Sequence, residues 1–117
     1  MESEIMLYIS RIGISTRVKG FRYLTDGIEM VLEDRDLLEA VTKELYPAIA
    51  KKNNTSIASV EKAIRHSIKN AWTHGYFETM ENHFRSKRFQ ATKKPTNSEF
   101  IEFVADRLRL TQKPLLS

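Results

Sequence analysis

Cysteine is absent from these 117 residues, which excludes a disulfide framework, a thiolate nucleophile and any cysteine-ligated metal. That composition fits a reducing cytoplasm. Three Pro and four Gly are all that interrupt the chain, leaving room for long helices but none for a glycine-rich phosphate loop. No apolar run approaches the roughly 20 residues a bilayer span needs. Met1 is followed by Glu2, Ser3 and Glu4, where a signal peptide would place basic and then apolar residues. A soluble, unexported protein with no membrane partner is expected. His66, His74 and His83 are too dispersed for a helical metal pair, so no metal or cofactor is expected. Glu33, Asp34 and Asp36 fall at a helix junction and read as caps and solvated acids. With no catalytic constellation in view, an enzyme is not expected.

What is present is helical periodicity almost everywhere. Ile5, Ile9 and Ile12 mark a first helix ending at Gly13, whose freedom at positive φ suits the residue after a helix end. Phe21, Leu24, Ile28 and Val31 mark a second, reaching about Glu33. Leu37, Leu38, Val41 and Leu45 mark a third, which Pro47 either kinks or follows by opening the next helix. Met80 and Phe84 suggest a short helix after Gly75, and the basic stretch from Arg85 to Lys94 reads as a loop. Thr96-Asn97-Ser98-Glu99 has capping-box spacing before a last helix with Phe100, Ile101, Val104 and Leu108 inward. No strand has a convincing alternation. The expectation is an all-α single domain over 1–117.

Residues 46–73 read as a helix-turn-helix. Ala50 is small enough for a close helix crossing, Asn54 tolerates the positive φ of a turn, and Val60 can lock the second helix onto the first. Ser56 is a plausible N-cap of that helix, with Thr55 as an alternative. At about 100° per residue Ile57, Val60, Ile64, Ile68 and Ala71 share a core-facing side. Ala58, Lys62, Arg65 and Lys69 share the other, flanked by Glu61 and His66. Such a helix can enter a major groove about 12 Å wide, N-terminal end first. The Arg65 fork can bridge guanine O6 and N7, whereas Lys62 and Lys69 suit phosphate oxygens and His66 lies near them. Glu61 is repelled by a polyanion unless it accepts from cytosine N4, which favours base reading over simple adhesion. The plainer reading is that Glu61 and Arg65 form an exposed helix pair worth only a few tenths of a kcal/mol.

Charge is concentrated in the same region. Residues 1–49 hold six Lys/Arg against nine Asp/Glu, residues 50–94 ten against three, and residues 95–117 three against three, so a net +4 conceals a segment of +7. That is the footprint of phosphate binding. The rival from another class is a helical protein-interaction module that turns the same face to an acidic partner.

The strings KGFRYL, VTKELYPAIAKK, VEKAIRHSIKNAW and KPTNSEFIEFVADRLRL, spread from about Ile5 to Leu110, resemble the C-terminal effector domain of stage zero sporulation protein A, a response regulator of endospore-forming Firmicutes. The resemblance implies a six-helix domain that binds sporulation-box duplexes of TGTCGAA type and activates or represses transcription. It implies base and backbone contacts from Glu61, Lys62 and Arg65, with His66 following in the same motif; Ser56, Ala58, Ser59 and Lys69, along the same helix, complete the candidate DNA-binding set. In a member of the family Arg stands at the places of Ser59 and Lys62, and an aromatic residue at that of Asn53. A surface for the RNA polymerase sigma subunit is implied on Gly75, Phe77, Thr79, Glu81, Phe84 and Arg88, and head-to-tail pairing on DNA through the last helix. Family members carry an N-terminal receiver domain that promotes pairing. None is found in these residues, so the chain reads as an isolated effector module, expected to bind constitutively and more weakly.

Overall fold

The protein is described by a computed structural model over residues 1–74 and 94–112. Every regular element among the described residues is helical: α1 (Glu2–Arg11), α2 (Lys19–Glu33), a 3-10 segment (Arg35–Glu39), one π turn (Val41–Leu45), α3 (Tyr46–Lys52), α4 (Ile57–Thr73) and α5 (Asn97–Gln112). The helix expected around Met80 and Phe84, and the loop expected from Arg85, lie outside the described residues except for Lys94.

Helix α1 stops because Gly13, at φ 106°, turns the chain back. The Ile14 N–H then donates to the Ile9 carbonyl and the Gly13 N–H to that of Ser10, a Schellman closure that satisfies two orphan acceptors. Ile14 and Ile9, brought together by this closure, are both buried.

The third helix expected from Leu37 to Leu45 is not one α-helix. Asp34 accepts from the Asp36 N–H and starts a 3-10 segment, Ala40 breaks it at φ −141°, and a π turn follows with Leu45 N–H donating to the Ala40 carbonyl. Proline supplies the reason. Pro47 has no N–H to continue an α ladder and its ring would strike the carbonyl one turn earlier, so it sits in the first turn of α3 with the preceding turn widened. The apolar positions survive the change: Leu45 is buried, and Leu37, Leu38 and Val41 pack on the core from its edge.

Helix α2 is the central element, packed by α1, α4 and α5. Its Phe21, Leu24, Ile28 and Val31 meet Ile64 and Ile68 of α4 and Phe100, Ile101, Val104 and Leu108 of α5 in one core. Arg109 on α5 donates to the Val31 and Leu32 carbonyls at the C-terminal end of α2, and Arg35 is paired with Glu102 and Asp106 on α5. At the start of α5 the capping box forms reciprocally: Thr96 N–H donates to Glu99 Oε1 at 2.9 Å and Glu99 N–H to Thr96 Oγ1 at 3.1 Å. Thr96→Ala is expected to cost about 1 kcal/mol in chemical denaturation, with the m-value unchanged.

Candidate nucleic-acid interface

Between α3 and α4 the chain reverses over four residues. Asn54 adopts φ 50°, the Thr55 N–H donates to the Ala50 carbonyl at 3.0 Å, and the Asn54 N–H donates to that of Lys51 at 3.4 Å. This is the same closure that ends α1, here with Asn in the place of Gly. Ser56 caps α4, its Oγ accepting from the Ser59 N–H at 3.1 Å and donating to the Ser59 hydroxyl at 2.8 Å. Ala50 and Val60 are buried where the two helices meet.

The turn is also tied to α2. Asp26, 1% exposed, accepts from Asn53 Nδ2 at 2.8 Å, and its other oxygen lies 3.2 Å from Lys52 Nζ and 3.3 Å from Arg22 Nη2. Asn53 Nδ2 also donates to the Ile49 carbonyl. A buried carboxylate with three donors from two helices fixes how α3 ends, and hence where α4 begins. Asn53 thus makes a polar anchor. The Arg22–Asp26 spacing on α2 was the one trace of this cluster in the sequence.

Helix α4 buries Val60, Ile64, Ser67, Ile68 and Ala71. Ile57, assigned to the same stripe from its angle, is instead exposed. The physical reason is position along the axis. It is the first residue of α4, almost a full turn before the first buried position, Val60. Ser56, Ala58, Ser59, Lys62, Arg65, His66 and Lys69 are all exposed, and Glu61 is half-buried. Lys62 and Lys69 have no ion-pair partner among the described residues.

Glu61 and Arg65 are joined by a hydrogen-bonded ion pair through Arg65 Nη1. The plainer reading of that pair is therefore realised, yet Arg65 still points outward from the fold. The pair stands beside the entry to α5, where Asn97 Nδ2 donates to the Tyr46 hydroxyl at 3.1 Å and to the Glu61 carbonyl at 3.2 Å. Burial pushes the Tyr46 phenol above its ordinary pKa, the Asn97 bond opposing the shift. A phenol so held remains neutral and acts as a fixed strut behind Glu61.

The opposite flank of α4 borders a trough of about 560 Å³ with Lys19, His66, Lys69 and His74 along it. Lys19 was not singled out from the sequence, because nothing in residue spacing relates the start of α2 to the middle of α4. Gly20 makes the approach possible: α2 and α4 touch there with no room for a side chain. Gly75, Phe77, Thr79, Glu81, Phe84 and Arg88 lie outside the described residues. No group of three or more His, Asp or Glu able to hold a metal occurs among the described residues.

The family model described as sporulation initiation factor Spo0A C terminal matches residues 5–108. The chain belongs to the Spo0A C-terminal family. That match runs from Ile5 in α1 to Leu108 in α5, in agreement with the resemblance carried by the four sequence strings. Spo0A C-terminal domains are DNA-binding regulators of sporulation transcription and not an enzyme family. No helix among the described residues is long and apolar enough to cross a membrane.

Proposed function

We propose that this Spo0A C-terminal domain is a single effector unit that reads sporulation-box duplexes of TGTCGAA type through a helix-turn-helix formed by α3, the Asn53–Ser56 turn and α4. The observation that carries the reading is the outer face of α4, exposed from Ala58 to Lys69 and bearing cations that no described acid neutralises apart from the Glu61–Arg65 pair. Helix α4 enters the major groove by its N-terminal end, where Ser56, Ala58 and Ser59 are small enough to let the backbone approach. Arg65 contacts guanine through the Nε and Nη2 edge that Glu61 leaves open, and Glu61 accepts from a neighbouring cytosine N4. Lys62, His66 and Lys69 take phosphate oxygens.

The same reading gives a six-helix domain and a sigma-subunit surface on Gly75, Phe77, Thr79, Glu81, Phe84 and Arg88. It also pairs copies head to tail on adjacent boxes through α5, so that bound domains activate or repress according to where the box lies. Support for these points is the family membership.

The test is a gel shift with box and scrambled duplexes at fixed salt, followed by selection of bound sequences from random duplexes. Preference for the box by about 10³-fold or more is expected. Equal affinity would overturn base reading and favour docking to an acidic protein. Glu61→Gln is expected to tighten binding to scrambled DNA while narrowing the preference for the box, since a carboxylate repels phosphate but accepts from cytosine. A preference unchanged by this substitution would remove Glu61 from the reading set.

A further inference from the structure

We propose that Ile57 is a specificity-determining residue that packs on the 5-methyl group of a thymine in the bound duplex. The inference rests on the groove-reading proposal and adds a contact that charge and hydrogen bonding do not supply.

Ile57 is 43% exposed at the first position of α4. A lone apolar side chain on a protein surface ordinarily needs no explanation. This one is set apart by its location. It occupies the leading tip of the helix whose outer face is cationic, and its backbone is held by the Ser56 cap and by the Schellman closure at Asn54. A β-branched residue there gains nothing from the helix, because it is a poorer helix former than Ala and has almost no freedom about χ1. It buries too little to serve the core. The same stiffness makes it a preorganised apolar contact, since little side-chain entropy remains to be lost on binding.

Geometry along α4 gives the contact a place. Ile57, Glu61 and Arg65 follow one another at intervals of four residues on one inclined line. The line rises about 6 Å and turns about 40° at each step, from the inner side of the helix at its leading tip to the outer face at Arg65. Glu61 and Arg65 are already paired on that line. A helix that presents an acid and a guanidinium to base edges presents Ile57 to the edge one or two base pairs further on, the rise being about 3.4 Å per pair. In the major groove thymine alone among the four bases offers a methyl group, and an aliphatic side chain is the partner that distinguishes it.

The experiment replaces each thymine of the box duplex in turn by deoxyuridine, which removes the methyl and keeps every hydrogen-bonding group, and measures affinity for wild type, Ile57→Ala and Ile57→Val. One position is expected to lose about fourfold in the wild type, the value of one buried carbon. Ile57→Ala should lose a similar factor on the thymine duplex and show no further loss at that position on deoxyuridine, while Ile57→Val keeps most of the sensitivity. Thermal midpoints of both variants should match the wild type, because the side chain is exposed, and the deoxyuridine scan of the wild type needs no variant at all. If the wild type prefers the box but its deoxyuridine scan is flat, or equally sensitive in Ile57→Ala, the Ile57 contact is overturned and base reading stands. If the wild type binds box and scrambled DNA alike, base reading falls and takes this contact with it.

Discussion

Gly20→Ala is expected to destabilise the domain by about 3 kcal/mol or more, among the largest effects of any single methyl group in this fold. A Cβ built at Gly20 lies 1.9 Å from Ser67 Oγ, 2.4 Å from the Ala63 carbonyl oxygen and 3.0 Å from its carbon. The hydroxyl is not free to swing away without cost, because it donates to that same carbonyl at 2.9 Å. The carbonyl is backbone in the middle of α4, so relief requires α2 and α4 to separate along one of the main interfaces of the α2 core. Alanine recovers about 1 kcal/mol of helix propensity, which the clash exceeds. Gly27 is the control. A Cβ there meets only the Ile49 side chain, with Cδ1 at 2.9 Å and Cγ1 at an ordinary contact distance of 3.8 Å. Gly27→Ala should therefore stay within about 1 kcal/mol of wild type. Thermal melts would place Gly20→Ala about 10 °C lower or more. Adding Ser67→Ala should restore only part of the loss, since the carbonyl remains; full restoration, or a stable Gly20→Ala, would show that the helices tolerate a wider separation.

Such a displacement would also reach the proposed interface, because α4 is positioned by α2 along its inner face. That dependence was only partly legible in the sequence. Helical periods located α1, α2, α4 and α5, since each buries a stripe whose spacing is set within the element itself. The conditions for the turn were legible for the same reason: Asn54 and Ser56 act on residues within five positions of themselves. The segment from Leu37 to Leu45 was misread as one α-helix, although its apolar spacing was right, because periodicity reports which side is buried and not whether the ladder closes over three, four or five residues. Ile57 was misplaced by the same limit: a helical wheel gives angle and says nothing of position along the axis. The bonds from Asp26 to Lys52 and Asn53 and the Lys19 flank depend on tertiary pairing across 26 or more residues, which local pattern does not encode.

Arg65→Ala is expected to cost 1–3 kcal/mol of affinity for the box and to relax preference at one base pair, with the thermal midpoint almost unmoved. The small effect on stability follows from the exposure of both partners, which limits the Glu61–Arg65 pair to about 0.3–0.5 kcal/mol. The binding loss has two sources that must be separated. One is the guanidinium contact itself. The other is that Glu61, relieved of its partner, faces the polyanion as an unneutralised carboxylate. Measuring Arg65→Ala in wild-type and Glu61→Gln backgrounds divides them: the repulsive part disappears in the second background, and the contact with guanine remains. Lys69→Ala provides the contrast, weakening box and scrambled duplexes by the same factor and reducing the salt slope by about one. A cation that only neutralises phosphate behaves like Lys69 wherever it sits on the face. If Arg65→Ala lowered affinity for box and scrambled duplexes equally in both backgrounds, Arg65 would be such a cation, and the outer face of α4 would hold DNA without reading it.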